Sequence, residues 1–190
     1  ASRYRVEHFR EQLHYQGYGS DFYQVDEVKD LDWDAYRAVV CYRCSREDVV
    51  CKVVEQAKKT GLNVYYDIDD LIFDYERISY LHFLTGSEYK DFKKTTEQIH
   101  SCMELCDGYF TSTDTLAGEI RREFPGKPVV INRNCASMEM QILSHDAVEQ
   151  VEKDPEHIFI GYFSGSKTHD QDFEVAEEAL LEVMKEHPEV

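Results

Sequence analysis

The chain has 190 residues, with 38 acidic against 21 basic side chains and a formal net charge of -17 at pH 7. This length suffices for one domain with a buried core, or for one domain and part of another. The acidic balance argues against a nucleic-acid partner and against docking on anionic lipid, because both need a basic surface.

No run of about 18 or more apolar residues occurs, so the sequence predicts no membrane span. No signal peptide opens the chain, and a cytoplasmic location is expected. The chain begins with a helical pattern, which suggests that a strand precedes it. Most of the six cysteines lie within apolar strand or helix patterns, and reduced, buried thiols are expected. The alternative is a four-thiolate zinc site of Cys41, Cys44, Cys102 and Cys106.

Apolar spacing predicts the secondary structure in chain order. Helices are predicted over residues 2–15, 45–60, 87–105, 114–124 and 138–151, with a last helix around residues 173–183. Strands are predicted over residues 22–25, 38–42, 63–66, 108–111, 128–131 and 158–163. Residues 71–86 are predicted to form a long loop with a short helical turn.

Short apolar strands that alternate with amphipathic helices predict an α/β fold with a Rossmann-like parallel sheet and helices on both faces. Ligands of such sheets bind at the carboxyl ends of the strands. Four groups of polar residues are therefore expected on one rim, namely Asp67 to Asp70, Ser112, Asn132 to Asn134, and Ser164 to His169.

The residues after the strand predicted at 158–163 favour a diphosphate. Ser164, Gly165 and Ser166 are small enough for a phosphate to approach the backbone amides at the start of a helix. Lys167 is placed to pair with a phosphate oxygen, and His169 is the one histidine in this loop. The alternative is an ordinary strand-to-helix turn.

A second candidate site is Asp67-Ile68-Asp69-Asp70, at the end of the strand predicted at 63–66. Three carboxylates in four residues repel one another, so a role in a site is favoured over simple capping of a loop.

A third candidate is the pair Arg3 and Arg5. Two arginines at a helix start oppose the helix dipole, and a bound anion would relieve this. The alternative is two surface arginines near a frayed chain end.

The chain resembles the retaining group 1 glycosyltransferases of the GT-B type, which pair two Rossmann-like domains across a cleft. The resemblance covers nearly the whole chain. It is strongest over residues 66–73, which read YDIDDLIF, over residues 108–134, and over residues 160–170, which read IGYFSGSKTHD. It implies that residues 1–135 form an acceptor-side domain, that residues 136–156 form a linker helix, and that residues 157–190 form the first strand and helix of the donor domain.

The resemblance also implies roles for the candidate residues. Asp69 stands at the family's histidine position and Asp70 at its aspartate position, and both are expected to be catalytic by positioning the sugar. Arg3, Arg5, Asp67 and Asn134 are expected to bind substrate, and the anion at the two arginines is either a donor phosphate or an acidic acceptor. Ser164 to Lys167 and His169 are expected to bind the donor.

The expected activity is transfer of a sugar from a nucleoside diphosphate sugar to a glycan or lipid-linked acceptor. The donor is a substrate, and no cofactor is expected. The Asp-x-Asp of Asp67 and Asp69 resembles the metal motif of the GT-A fold, but the GT-B type needs no such metal and none is predicted. The family's paired-glutamate motif lies beyond residue 190, so these 190 residues alone are expected to be inactive.

Two other functions stay open. The first is a non-catalytic Rossmann-like module that binds a glycan or a protein. The second is a receiver-like phospho-switch, which the clustered aspartates suggest. Receiver domains carry their acidic pair and their phospho-acceptor after different strands, whereas all three carboxylates here share one loop. The phospho-switch therefore ranks last.

Overall fold

The structure is a computed structural model that describes residues 2–28, 31–78, 86–152, 154–163 and 170–190, with residues 170–172 described by backbone alone. The chain divides into two compact units, Ala1–Ser137 and Met138–Val190. The first unit holds the sheet and all of the predicted acceptor-side residues. The second unit holds the donor loop predicted at 164–169, which lies outside the described residues.

The first unit is built on four parallel strands in the order β1-β2-β3-β4. The strands are β1 (Ala38–Tyr42), β2 (Asn63–Ile68), β3 (Gly108–Thr111) and β4 (Val129–Ile131). The helices are α1 (His8–Tyr15), α2 (Asp48–Lys59), α3 (Tyr75–Ile78), α4 (Gly86–Glu104) and α5 (Asp114–Glu123). The predicted Rossmann-like α/β fold is confirmed.

The core lies between the sheet and the three long connecting helices. Crossovers between neighbouring parallel strands are right-handed in nearly all proteins, and this handedness puts α2, α4 and α5 on the same face. Tyr66 of β2, Val54 of α2 and Ile120 of α5 belong to one buried cluster. Alternate residues of each strand point to the opposite face, where α1 packs. There the rings of Phe9 and Phe110 lie 5.5 Å apart. Helices therefore cover both faces of the sheet.

Two predictions about the first unit are wrong. The strand predicted at 22–25 is absent, and Val25–Glu27 forms a 3-10 turn. This turn is closed by a capping box in which the amide of Gln24 donates to Glu27 Oε2 at 2.9 Å. The helix predicted to begin at residue 45 begins at Asp48. The first turn of the predicted helix 2–15, Arg3–Glu7, is π-helical.

The second unit contains α6 (Met138–Gln150) and α7 (Asp170–Glu186). The strand predicted at 158–163 is wrong, since these residues have no regular secondary structure. A strand needs a neighbouring strand as its hydrogen-bond partner, and the amide of Ile158 instead donates to the Glu189 carbonyl at 2.6 Å. Phe159 is 82% exposed and Phe163 is 98% exposed. Among the described residues, no helix is long and apolar enough to cross a membrane.

Candidate functional site

The carboxyl ends of β1, β2, β3 and β4 bring the predicted acceptor-side residues to one edge of the sheet. The register aligns Tyr42 with Asp67, and Asp67 with Phe110. The pairing continues past the strands, because the amide of Asn132 donates to the Thr111 carbonyl at 2.7 Å. We call this edge the carboxyl rim. It carries Arg43 after β1, Asp67 to Asp70 at the end of β2, Ser112 after β3, and Asn132 to Asn134 after β4.

Arg5 and Asp67 form a buried ion pair at the centre of the rim. Nε and Nη2 of Arg5 donate to the two Asp67 oxygens at 2.8 Å each, and the two side chains are each 1% exposed. Burial raises the pKa of the Asp67 carboxyl, and the Arg5 hydrogen bonds oppose that shift. The anion predicted to offset the positive charge of Arg5 is therefore the Asp67 carboxylate of the same chain.

The remaining amino group of Arg5 reaches the end of β4. Nη1 donates to the Asn132 carbonyl and to Asn134 Oδ1, the latter at 3.1 Å. Arg5 thus ties the π-helical turn before α1 to the ends of β2 and β4, and four of its N–H groups are used within the chain. Three of the predicted substrate-binding residues, Arg5, Asp67 and Asn134, are brought into contact. Arg3 is exposed.

A second buried contact also fastens α1 to the rim. His8 is 3% exposed, and its Nδ1 lies 2.8 Å from the Cys135 carbonyl oxygen. Gln12 Nε2 donates to Cys135 Sγ at 3.2 Å. With the Arg5 contacts, one side of α1 is bound to the segment after β4 over more than one helical turn. The rim is therefore a fixed part of the fold.

Asp69 and Asp70, the two residues predicted as catalytic, both pair with Arg43. Nε and Nη2 of Arg43 donate to Asp69 Oδ1 at 2.9 and 2.6 Å, and Nη2 also donates to Asp70 Oδ2. The Asp69 side chain is 11% exposed and that of Asp70 is 57% exposed. Asp69 is thus held in place, whereas Asp70 is open to solvent and to a ligand.

Arg43 is a rim residue that was not predicted from the sequence, although its position gives a signal. The predicted rim residues of the first unit follow β2, β3 and β4, and the equivalent position after β1 was not among them. Arg43 occupies that position with a backbone φ of +48°. Its guanidinium also lies 5.8 Å from the centre of the Tyr42 ring. Burial and the nearby Asp69 charge raise the pKa of Tyr42 to about 12, so this phenol stays protonated at neutral pH.

Three of the six cysteines lie in the core below the rim. Cys41, Cys102 and Cys106 are buried, Cys44 and Cys51 are half-buried, and Cys135 is exposed. The expected burial is confirmed for Cys41, Cys102 and Cys106. A hydrogen bond to Cys106, together with burial, raises the pKa of Cys41, and burial raises the pKa of Cys102 to about 12. Protonated thiols are poor metal ligands and poor nucleophiles. Among the described residues, no group of three or more His, Cys, Asp or Glu side chains is arranged to hold a metal ion.

A cavity of about 660 Å³ lies apart from the rim, on the helical face of the first unit. Its lining includes residues of α3, the second half of α4 and the end of α5, and it contains none of the predicted site residues. Two pairs of its charged groups contact each other. Arg122 contacts Asp74 at 3.4 Å, and His100 Nε2 lies 2.8 Å from Glu123 Oε1. The rim therefore remains the candidate site.

The donor-binding residues predicted at Ser164, Gly165, Ser166, Lys167 and His169 lie outside the described residues, so their role stays a prediction. Comparison with known proteins adds no assignment. No family model matches the chain. No curated protein and no solved structure matches it either. The carboxyl rim is therefore the part of the described chain whose chemistry bears on function.

Proposed function

We propose that the chain belongs to a retaining glycosyltransferase of the GT-B type, in which it supplies the acceptor-side domain and the beginning of the donor-binding domain. The reaction transfers a sugar from a nucleoside diphosphate sugar to a glycan or lipid-linked acceptor. The observation that carries this proposal is the position of Asp69 and Asp70. They follow the second of four parallel strands, at the sheet edge where such folds bind ligands.

The rim has the groups that a sugar substrate requires. Sugar hydroxyls are recognised by carboxylates, amides and guanidinium groups in fixed positions. Asp69 is fixed by Arg43, whereas Asp70 is 57% exposed. Asn134 is oriented by Arg5 at 3.1 Å. Fixed polar groups need no reorganisation when the substrate arrives, and this is the main source of catalysis by positioning.

In the proposed reaction, the bond between the anomeric carbon and the diphosphate oxygen breaks, and the diphosphate leaves with the electron pair. The acceptor hydroxyl oxygen forms the new bond to that carbon, and its proton passes to the departing phosphate. Asp69 and Asp70 orient the sugar and the acceptor. The amides of Ser164 to Ser166 and the charge of Lys167 stabilise the leaving diphosphate.

One observation favours a second candidate, the non-catalytic binding module. Each of the three carboxylates in the Asp67 to Asp70 loop forms an ion pair with an arginine of the same chain. Such pairs stabilise a fixed polar surface, and binding a glycan needs no more than that. The two candidates differ in whether the protein takes a nucleotide sugar.

The first test is calorimetric titration of UDP, GDP, dTDP and their sugars into the longest natural form of the protein and into the 190-residue chain. We expect the long form to bind one nucleotide family. Lys167→Ala is expected to weaken that binding about tenfold or more, because a charge-assisted contact to phosphate is worth about 1.5–3 kcal/mol. Lys185→Ala is the matched control, since it removes a lysine from the last turn of α7.

The titration separates the candidate functions. Binding by the long form that is lost in Lys167→Ala and kept in Lys185→Ala would support the transferase. Weaker binding by the 190-residue chain would show that residues outside it complete the donor site. No binding of any nucleotide by either form would contradict the transferase and favour the binding module.

A further inference from the structure

Arg43 has the backbone conformation of a strained residue. Among the described residues it is the one non-glycine with a positive φ, at +48°. An L-residue in this left-handed region costs about 1–2 kcal/mol relative to a right-handed one. Strain of this kind persists where the surroundings enforce it, and it occurs most often in ligand sites. The position of Arg43 on the carboxyl rim fits that pattern.

The Arg43 side chain has donors left for a ligand. Its Nε and Nη2 groups contact Asp69 and Asp70, whereas Nη1 has no hydrogen-bond partner among the described residues. The side chain is 27% exposed. The Nη1 group is therefore available to a ligand that accepts hydrogen bonds.

The two carboxylates bound to Arg43 differ in how easily they are displaced. Asp69 is 11% exposed and accepts from both Nε and Nη2. Asp70 is 57% exposed and accepts from Nη2 alone. An exposed pair of this kind contributes at most about 1 kcal/mol. A diphosphate offers more charge and more oxygens than one carboxylate, and a guanidinium binds it through two parallel hydrogen bonds.

We propose that Arg43 binds a diphosphate group, which takes the place of Asp70 on the guanidinium while Asp69 holds the other edge. Asp70 is then an internal competitor that occupies Arg43 until the ligand arrives. This inference rests on the proposed function. Because Arg43 lies on the acceptor-side domain, we assign this diphosphate to a lipid-linked acceptor. An unmodified glycan has no diphosphate, so Arg43 favours the lipid-linked class of acceptor. The other possible source of the diphosphate is the nucleoside diphosphate of the donor.

The test is calorimetric titration of inorganic pyrophosphate into the longest natural form at low salt. Arg43→Ala is expected to lower the affinity at least tenfold. Asp70→Asn is expected to raise it about two- to fivefold, because the competing pair is worth up to about 1 kcal/mol. Lys59 and Glu55 form an exposed ion pair at the end of α2, with side chains 63% and 64% exposed. Lys59→Ala and Glu55→Gln are the matched controls, with smaller changes expected.

Arg43→Lys separates ligand binding from a purely structural role. Lysine keeps the charge but cannot form two parallel hydrogen bonds, so an intermediate pyrophosphate affinity is expected. Far-ultraviolet circular dichroism confirms that each variant is folded. Unchanged affinity in Arg43→Ala, or weaker affinity in Asp70→Asn, would overturn the inference and leave Arg43 as a structural clamp. Absence of pyrophosphate binding by the wild type would overturn it as well.

Two further ligands identify the source of the diphosphate. If farnesyl diphosphate binds more tightly than UDP, and Arg43→Ala abolishes this binding, the lipid-linked acceptor is supported. If UDP binds more tightly and its binding depends on Arg43, that assignment is overturned in favour of the donor. Binding of pyrophosphate that depends on Arg43 without any sugar transfer would contradict the proposed function and leave the diphosphate site supported.

Discussion

Arg5 and Asp67 are 62 residues apart in the sequence and form a two-pronged ion pair, with both hydrogen bonds 2.8 Å long. The pair joins the beginning of the chain to the end of β2. The same arginine reaches the end of β4 through Asn132 and Asn134. One buried guanidinium therefore organises three segments of the carboxyl rim.

Arg5→Ala should lower the free energy of unfolding by about 3–5 kcal/mol, because it leaves the buried Asp67 carboxylate without its partner. Arg10 forms an exposed ion pair with Glu7, with side chains 39% and 54% exposed. Arg10→Ala is the control and should cost less than about 1 kcal/mol. Urea unfolding measures both. Equal losses in the two variants would contradict the structural role of Arg5.

The destabilisation in Arg5→Ala should depend on pH. Burial already raises the pKa of Asp67, and removal of Arg5 raises it further, because the opposing hydrogen bonds are lost. A carboxyl group whose pKa is higher in the folded state stabilises that state at pH values below its unfolded pKa of about 3.9. This stabilisation is lost as the pH rises through the pKa of the folded state. The loss caused by Arg5→Ala should therefore shrink from pH 7 towards pH 4. A loss that is constant over this range would contradict the account.

The left-handed backbone of Arg43 gives a prediction about glycine. Arg43→Gly should be more stable than Arg43→Ala by about 1–2 kcal/mol, because both lack the side chain and only alanine is strained at a φ of +48°. Lys52 lies inside α2 and provides the reverse control. There alanine should be more stable than glycine by about 1 kcal/mol. Thermal unfolding of the four variants tests both signs. If Arg43→Ala is as stable as Arg43→Gly or more stable, the backbone at position 43 is not strained.

Gly108 lies where β3 passes close to Pro128. A Cβ at this position would be 2.9 Å from the Pro128 side chain and 3.1 Å from its carbonyl oxygen. Gly108→Ala should therefore lower the free energy of unfolding by about 1–3 kcal/mol. Gly118 is exposed on α5 with no atom within 4 Å of its added Cβ. Gly118→Ala should raise stability by up to about 1 kcal/mol. If both substitutions change the free energy of unfolding in the same direction, the close packing at Gly108 is contradicted.

The cysteines should differ strongly in reactivity. Cys135 is exposed and should react rapidly with a disulfide reagent in the native protein. Cys41 and Cys102 are buried with raised pKa values, so raising the pH to 9 should not make them react before the protein unfolds. All six should react in denaturant. Titration of free thiols with an absorbing reagent provides the counts. Cys44 and Cys51 are half-buried and should react more slowly than Cys135. Fast native reaction of more than three thiols would contradict the burial of Cys41, Cys102 and Cys106.

The sheet of the first unit could be predicted because its strands carry local signals. β3 is predicted at 108–111 and observed at Gly108–Thr111, since an apolar run there is bounded by Gly108 and a helix start. The segments 22–25 and 158–163 have the same apolar character without a strand beside them. Apolar spacing shows that a segment can be a strand, but hydrogen-bond partners decide whether it is one.

The candidate site could be predicted only in part. The position of Asp67 to Asp70 at the end of β2 follows from the strand itself. The partners of these carboxylates do not follow, because ion pairs depend on which segments the fold brings together. From the sequence alone, a bound anion and the Asp67 carboxylate are equally good partners for Arg5. The αL backbone of Arg43 has no signal in the sequence, since glycine or asparagine is the usual residue there.

The most direct test of the proposed function is transfer of a labelled sugar by the longest natural form of the protein. The donors are UDP, GDP and dTDP sugars, and the acceptors are a prenyl diphosphate-linked sugar and a free glycan. The account predicts transfer with one donor, with a loss of about 100-fold or more in Asp69→Asn, the scale at which single polar groups contribute to catalysis. Absence of transfer with every pair, or full activity in Asp69→Asn and Asp70→Asn together, would contradict it.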